Sequence, residues 1–382
     1  MANYDYEIVN GRKIRVRPKE TVSEIDKNGY FRRQPNHFTT PFGDGENDLK
    51  AEGNKRYRLV WAKLCHWSNR AAIVRELEGL EDQISVNMVE HAPHEKNLGW
   101  EYVYNENNID PMLGDQFLSA AYYRADDDYQ GRTTVPALID TATGKVVNND
   151  YNWLTTYFEV NFRPWHKKGA PELYPVELRE EIDKMNLWLF DNINNAVYRS
   201  SFSRSNEGHF DGVNTFYAAM DRLEKRLETN RFLFGDYVTD SDIRLYVTLA
   251  RLDIRYTTQL GETKRPLYTY KNLWGYAKEL WEIPAFAHHT DFAAIIRQGR
   301  IEGEEDGFRA STHYDLALPK IDWDAQWKVS TERAYLSSDP THPIYLGNNR
   351  RFYIDPTWYD LGAESPKKEE KETPPSCGCC CG

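Results

Sequence analysis

Residues 64–70 read LCHWSNR and join an apolar run to a helical pattern. Residues 57–64 (YRLVWAKL) are typical of a buried strand, and residues 70–80 (RAAIVRELEGL) carry apolar residues at helical spacing. Cys65 therefore lies at a strand-to-helix turn, where unpaired N–H groups and the helix dipole favour a thiolate. A lone cysteine in an apolar setting is also typical of an inert core residue, so position alone leaves both interpretations open.

The cysteine usage favours a single reactive thiol in the body of the chain. Ser68 stands where a C-x-x-C redox motif would carry its second cysteine, and its hydroxyl can cap the helix or donate a hydrogen bond to the Cys65 sulfur. The remaining cysteines lie within residues 377–381, in a tail (363–382) with the composition of a disordered segment. They do not form a disulfide framework, and they could bind a soft metal weakly, be oxidised or be acylated.

Composition argues against several classes of partner. The 382 residues carry a formal net charge of −11, which disfavours binding to nucleic acid or to an anionic membrane. No apolar run approaches the roughly 20 residues that cross a bilayer. Residues 1–29 lack the pattern of a signal peptide. We therefore expect a cytoplasmic protein without a nucleic-acid or membrane partner.

The order of predicted elements indicates a thioredoxin-like α/β domain. Residues 1–55 form an irregular N-terminal extension on the surface, and a strand–helix–strand unit follows. Residues 91–132 form a polar insertion, and residues 133–148 form a β-hairpin. Asn149 and Asp150 then cap a short helix at residues 151–158. This β-α-β, β-β-α order is typical of a thioredoxin-like domain, here residues 56–160.

The second half of the chain has helical periodicity. After a linker at residues 159–174, residues 175–300 form an all-α helical bundle, in which Thr239 and Asp242 make a capping box. Residues 301–362 carry aromatic segments that wrap back onto the body. The tail defined above follows them.

Pro136 interrupts a strand pattern, where it cannot donate to the hydrogen-bond ladder. A cis Val135–Pro136 bond at the strand entry would explain it and would leave the Val135 backbone exposed to a peptide-like ligand. A trans proline on an edge strand is the alternative. His91 and His94 have the spacing of a metal pair, but they lack a third ligand, so we expect no metal site.

These features resemble the cytosolic glutathione transferases and, within them, the Xi class, the glutathionyl-hydroquinone reductases. This chain and the members of that class share a thioredoxin-like domain with a cysteine at the first helix, followed by an all-helical domain. The matching stretches run in order from about residue 56 to residue 297, over half of the chain: RYRLVWAKLCHWSNRAAIVRELEGLE, GW at residues 99–100, YYRADDDYQGRTTVPALID, NNAVYRSSF, RLEKRLETNRFLFGDYVTDSDIRLYVTLARLDIRY and YKNLWGYAKELWEIPAF.

The resemblance implies a glutathione-dependent thiol transferase or reductase. In that chemistry a cysteine thiolate attacks the sulfur of a glutathionyl-hydroquinone thioether, and a second glutathione resolves the mixed disulfide. The co-substrate is glutathione or an analogous small thiol, and no metal takes part. The partners are this thiol and an aromatic thioether or disulfide substrate. Members of the class are typically dimers, so we expect a homodimer.

The resemblance also assigns residues to roles. Cys65 is the nucleophile, and Tyr198 lies near the quinone ring, where it can donate a hydrogen bond or a proton as the ring leaves. The Val135 backbone pairs with the cysteinyl part of glutathione, and Arg132 covers or charge-pairs with the tripeptide. Six residues in all are expected to line the thiol pocket: Trp67, Trp100, Arg132, Val135, Asp150 and Tyr151.

The sequence departs from the class at three places. The Cys-Pro-Trp-Ala motif is here CHWS, where a protonated His66 would stabilise the thiolate and a surface histidine is the alternative. Asp150 and Tyr151 replace a Glu-Ser pair that holds the γ-glutamyl group. The bundle ends in IIRQGR, at residues 295–300, where the class has a second tyrosine. Two alternatives stay open: a glutathione-conjugating transferase, and a non-catalytic thiol-binding or stress-sensor module.

Overall fold

The computed structural model describes most of the two domains, over residues 4–17, 23–91, 98–257, 260–261, 265–296, 322–329 and 332–337. The predicted Cys-rich tail, His94 and most of the 301–362 extension lie outside the described residues. The domain boundaries given above stay predictions. No described helix is long and apolar enough to cross a membrane.

The N-terminal extension is more ordered than predicted. It contains a two-stranded hairpin of β1 (Tyr6–Val9) and β2 (Arg12–Arg15). The prediction of an irregular surface segment is therefore wrong in part. Its apolar side chains also enter the core, since Val16, Phe31 and Phe42 are buried. The sequence offered no periodicity there because these contacts come from isolated residues.

The N-terminal domain is built on a four-stranded mixed sheet. Its elements are β3 (Tyr57–Trp61), α1 (His66–Leu77), β4 (Ile84–Met88), β5 (Glu90–His91), β6 (Trp100–Glu101), α2 (Ser119–Ala125), β7 (Ala137–Asp140), β8 (Lys145–Asn148) and α3 (Leu154–Val160). The strand order is β4-β3-β7-β8, with β3 and β4 parallel and the other pairs antiparallel. All five residues of β3 are buried, as expected for a central strand covered on both faces.

Three local predictions in this domain are corrected. The strand ends at Trp61, and α1 begins directly after Cys65 rather than at residue 70. The insertion at residues 91–132 contains α2, which its polar composition concealed. The predicted cap of α3 is wrong, because that helix begins at Leu154 and the Asp150 carboxylate accepts from the N–H of Asn152 at 3.0 Å in the preceding turn.

The second domain is helical, as predicted. Its helices are α4 (Arg179–Leu189), α5 (Ala196–Phe202), α6 (Asn206–Arg226), α7 (Asp240–Arg251), α8 (Lys271–Trp281), α9 (Pro284–His288) and α10 (Trp323–Trp327). A π turn, Phe190–Asn194, separates α4 from α5. The capping box of Thr239 and Asp242 at the start of α7 is confirmed. Helix α7 packs against α1 and so joins the two domains next to Cys65.

Candidate active site

Cys65 occupies the N-cap position of α1 in an extended conformation, with φ −81° and ψ 114°. Its side chain is buried, with an exposed fraction of 7%. The Sγ atom lies 3.7 Å from the carbonyl oxygen of Val135. The sulfur therefore lies beside the first turn of α1, where the unpaired N–H groups and the dipole favour negative charge. Sequence reasoning had predicted this placement.

The loop that faces Cys65 is fixed by its backbone. The Val135–Pro136 peptide bond is cis, which confirms the prediction. Just before it, the Trp100 indole Nε1 donates to the carbonyl of Thr133 at 3.1 Å. Trp100 also stacks on His91, with ring centroids 3.8 Å apart. Trp100 thus supports the strand entry that carries Val135.

Ser68 has a structural role that differs from both predicted roles. Its hydroxyl oxygen accepts a hydrogen bond from the Ala62 N–H at 3.1 Å. The same hydroxyl lies 3.3 Å from the carbonyl oxygens of Ala62 and Cys65, to which it donates. Helix α1 has no side-chain cap bond. Ser68 therefore ties the turn before the nucleophile to the first turn of the helix and does not contact the sulfur.

His66 is neither charged nor on the surface, so both of its predicted states are wrong. It has an exposed fraction of 1%, and its Nδ1 lies 3.0 Å from the Thr248 hydroxyl on α7. Burial, reinforced by the nearby cations Arg251, Arg33 and Arg70, holds the pKa of His66 well below its usual value. The imidazole is thus neutral at physiological pH and cannot supply positive charge to the thiolate.

Arg251 is a buried cation that contacts the turn carrying Cys65. It is fully buried at the end of α7. Its guanidinium donates to the carbonyls of Leu64 and Lys63 at 2.6 and 2.7 Å, and to the Asn69 Oδ1 at 3.1 Å. It thereby holds both sides of the Cys65 turn from the helical domain. Sequence reasoning missed this residue, although an arginine between Ala250 and Leu252 in an apolar helical run was a signal.

Aromatic rings line the region beside Cys65. The Trp67 ring lies 4.7 Å from that of Tyr151 and 5.7 Å from that of Tyr198. The Tyr198 ring also lies 5.2 Å from the His66 imidazole. The structure therefore brings three predicted site residues, Trp67, Tyr151 and Tyr198, next to the nucleophile's helix. An aromatic substrate ring would find stacking partners here.

An N-terminal segment, residues 24–36, passes over this region and was missed by sequence reasoning. Its Arg33 lies over two rings of the site, with Cζ 4.5 Å from the Trp67 centroid and 4.3 Å from the Tyr198 centroid. Its Asn36 donates to the Asp150 carboxylate at 2.9 Å. A segment that was expected on the surface thus contributes side chains to the candidate site.

Arg132 is paired with the same N-terminal segment. Its Nε and Nη2 donate to the two carboxylate oxygens of Glu24 at 2.9 and 3.0 Å. Its backbone N–H donates to the Gln34 Oε1 at 2.6 Å. The Glu24 interaction raises the pKa of Arg132 against the opposing effect of burial. Arg132 is therefore held as a cation with a bidentate carboxylate partner, the geometry that it would offer to a carboxylate of a ligand.

The comparisons with known proteins agree with this geometry. A family model described as "Glutathione S-transferase, C-terminal domain" matches residues 198–279. Glutathione S-transferase omega-like 2 of Schizosaccharomyces pombe is 34% identical over 279 residues, which are 70% of this chain and 88% of that protein. Glutathionyl-hydroquinone reductase YqjG of Escherichia coli is 33% identical over 240 residues, or 63% of this chain and 73% of that protein.

Solved structures show the same likeness. The glutathione-bound structure of YqjG has a TM-score of 0.66 at 29% identity and covers 80% of this chain and 97% of its own. The Xi glutathione S-transferase of Phanerochaete chrysosporium has a TM-score of 0.64 at 34% identity, covering 69% of this chain and 90% of its own. From the thiol at the first helix, the cis-proline loop and these likenesses together, the chain belongs to the glutathione transferase family, among its glutathionyl-hydroquinone reductase-like members.

Proposed function

We propose that this protein is a glutathione-dependent thiol transferase or reductase that acts through Cys65 on aromatic thioethers or mixed disulfides. The observation that carries the proposal is the position of the Cys65 sulfur, at the N-cap of α1 and 3.7 Å from the Val135 carbonyl. A cysteine in this place is a nucleophile that forms a disulfide. A transferase that conjugates glutathione to electrophiles needs a hydroxyl donor to the glutathione thiol instead.

The first step transfers a glutathionyl group to the enzyme. The Cys65 thiolate attacks the sulfur of a glutathionyl aromatic thioether, the S–S bond forms, and the bond between sulfur and the ring carbon breaks. The electron pair leaves with the aromatic group, which takes up one proton, and Tyr198 is proposed to donate that proton or to hydrogen-bond to the ring oxygen as the ring leaves. A second glutathione thiolate then attacks the mixed disulfide. Glutathione disulfide is released, and the Cys65 thiolate is restored.

The glutathione pocket is proposed around the cis-proline loop. The Val135 backbone would pair with the cysteinyl residue, and Trp100 would form one wall. Glutathione carries two carboxylates and one ammonium group at neutral pH. Arg132 would bind a carboxylate of glutathione in exchange for its present partner Glu24. The Asp150 carboxylate, with Tyr151 beside it, suits the ammonium of the γ-glutamyl residue.

The cellular compartment, the oligomeric state and the absence of a metal requirement are also proposals. We propose a cytoplasmic homodimer, as the resemblance to the Xi class implied. We propose a mechanism that needs no metal, because the thiolate and the glutathione thiol supply both nucleophiles. Among the described residues, no group of three His, Cys, Asp or Glu side chains could hold a metal ion.

Replacement of the nucleophile tests the proposal. Cys65→Ser keeps the size of the side chain, and its turnover of glutathionyl-hydroquinones and of glutathione mixed disulfides is expected to fall at least ~10³-fold. Thr269→Ala is the control, since Thr269 is exposed and its hydroxyl donates to the carbonyl of Pro266 in its own turn, and it is expected to keep the activity. Unchanged turnover in Cys65→Ser would exclude the mechanism, and new conjugating activity in that variant would favour the alternative transferase.

A further inference from the structure

Arg33 is held rigidly inside the candidate site. Its Nε donates to the Oδ1 of Asn195 at 2.8 Å, at the junction of the π turn and α5. Its guanidinium lies over the rings of Trp67 and Tyr198, and its Cζ is 5.8 Å from the centroid of the Tyr151 ring. This side chain comes from the N-terminal segment, outside both predicted domains. Its position beside Tyr198 places it where the aromatic part of an acceptor would bind.

The Arg33 guanidinium is an incompletely satisfied cation. Its Nη2 atom is buried and has no hydrogen-bond partner in the described part of the chain. Glu24, a carboxylate that interacts electrostatically with Arg33, is engaged by Arg132. Burial lowers the pKa of Arg33, yet a guanidinium stays protonated at neutral pH. Arg33 as a whole is half-buried, but a buried N–H without an acceptor is costly, so an anionic acceptor at Nη2 would stabilise the side chain.

Trp67 presents a second donor of the same kind. Its indole Nε1 is buried and has no acceptor among the described residues. Trp67 lies two positions after the nucleophile on α1. Two unpaired donors that stack on one another, Arg33 and Trp67, favour an acceptor rich in oxygen and negative charge over a purely apolar one.

We propose that Arg33 is a specificity-determining residue. Its unpaired Nη2 donates a hydrogen bond to the anionic oxygen of an aromatic acceptor. This inference rests on the proposed function and assigns to Arg33 the recognition of the ring oxygen of its acceptor. Rings whose oxygens are methylated, and acceptors without a ring, would not use this contact. The Arg33 contact with the Tyr198 ring brings the cation and the proton donor to the same end of the substrate.

The chemistry of the transfer step explains why a cation would matter. In the keto tautomer of the thioether, the ring carbon bonded to sulfur is tetrahedral and also carries hydrogen, and a ring carbonyl is attached to it directly or through a C=C bond. When the Cys65 thiolate takes the sulfur, the C–S electron pair moves into the ring and onto that carbonyl oxygen, which becomes a phenolate. Arg33 would stabilise this oxyanion as the charge develops, and a proton from Tyr198 then gives the phenol.

Variant kinetics on two acceptors test the inference. We would compare a glutathionyl-hydroquinone with the mixed disulfide of glutathione and 2-mercaptoethanol. Arg33→Met is expected to lower kcat/KM about 100-fold for the first acceptor, as for loss of an oxyanion donor, and less than about threefold for the second. Arg33→Lys, which keeps the charge without the planar fork, is expected to lie between the two. Arg32→Met is the matched control, since Arg32 is adjacent in sequence but exposed, and it pairs with Asp26.

A spectroscopic measurement makes the test independent of turnover. 4-Nitrophenol changes its absorbance on ionisation, so its apparent pKa can be followed when it is bound. The wild-type protein is expected to lower that apparent pKa relative to free 4-nitrophenol, and Arg33→Met is expected to abolish the shift while Arg32→Met keeps it. The charged and titratable groups that interact with Arg33 include Glu24, Arg132, Tyr151, Tyr198 and His66, and all five are unchanged in both variants.

The outcomes separate this inference from the proposed function. Equal losses on both acceptors in Arg33→Met, or no loss on the hydroquinone, would overturn the role of Arg33. An unshifted nitrophenol titration in the wild type would overturn it as well. If glutathionyl-Cys65 forms from the mixed disulfide while hydroxylated thioethers are not turned over, the Arg33 inference fails alone. If no glutathionyl-Cys65 forms from either acceptor, the proposed function fails with it.

Discussion

The guanidinium of Arg251 donates from Nε to the carbonyl oxygen of Leu64 at 2.6 Å, across the boundary between the helical and the thioredoxin-like domains. Leu64 directly precedes the nucleophile. The end of α7 therefore fixes the turn on which Cys65 depends, and the same cation lies close enough to interact electrostatically with its sulfur. The helical domain is in this way part of the thiol site and more than a substrate platform.

Removal of this contact is expected to destabilise the fold. Arg251→Met leaves the buried carbonyls of Lys63, Leu64 and Val247 without their donor. We expect a loss of about 3 kcal/mol in the free energy of unfolding, measured by urea denaturation. Arg251→Lys should lose roughly half as much, because one donor can be retained. The exposed Arg12→Met serves as control and should change stability by less than about 0.5 kcal/mol; equal effects in Arg12→Met and Arg251→Met would contradict the role of Arg251.

A buried histidine, His66, and a half-buried one, His289, predict that the fold is destabilised by acid. Burial lowers the pKa of His66 well below 6.5 and that of His289 to about 4. As pH falls below the unfolded value of about 6.5, the unfolded chain takes up protons that the folded chain does not. Stability is thus full above that pH and declines below it, by at most about 1.4 kcal/mol per pH unit for each imidazole.

Stability measured from pH 7 to pH 5 in His66→Gln and His289→Gln would check this dependence. Each variant should show a shallower decline than the wild type, and the double variant a shallower one still. A decline that is identical in all four proteins would show that these histidines do not titrate on unfolding.

Arg132 is expected to contribute to glutathione affinity. Arg132→Met should raise the dissociation constant of glutathione about 10-fold, because one charge-assisted contact to a carboxylate is lost. Arg163 offers a matched control, since it forms a similar, partly exposed bidentate pair with Glu172. Isothermal titration of both variants distinguishes a ligand contact from a general loss of surface charge. Equal dissociation constants of glutathione for the two variants would show that Arg132 does not bind glutathione.

Tyr198 is expected to act on the leaving group. Tyr198→Phe keeps the ring contacts with Trp67 and His66 but removes the hydroxyl. Turnover of aromatic thioethers should fall about 10²-fold, whereas reduction of a glutathione mixed disulfide should hardly change, since a thiolate leaves without a proton. Tyr157→Phe, on α3, is the control. A similar fall on both acceptors would mean that Tyr198 is only a packing residue.

The parts predicted from sequence share a strong local signal. The strand before Cys65, the helix after it, the hairpin, the cis proline and the Thr239 capping box all follow from periodicity or from one restrictive residue type. Each is determined by neighbours in the chain. Their prediction needed no knowledge of the tertiary packing.

The parts that were missed depend on contacts between distant residues. Arg33 and Asn36 lie in a segment without periodicity, and only the fold brings them to Trp67 and Asp150. His66 was expected to be charged or exposed because its partner Thr248 is 182 positions away. Arg251 carries no motif and is identified only by the three backbone carbonyls that it reaches.

Intact-protein mass spectrometry of a single turnover would detect the proposed mixed disulfide on Cys65. The protein is mixed with one equivalent of a glutathionyl-hydroquinone and no free thiol, then quenched in acid. We predict a mass increase of one glutathionyl group, localised to Cys65 by peptide mapping, with release of one equivalent of hydroquinone. Release of hydroquinone without any adduct on Cys65, or an unmodified protein beside intact substrate, would contradict the account.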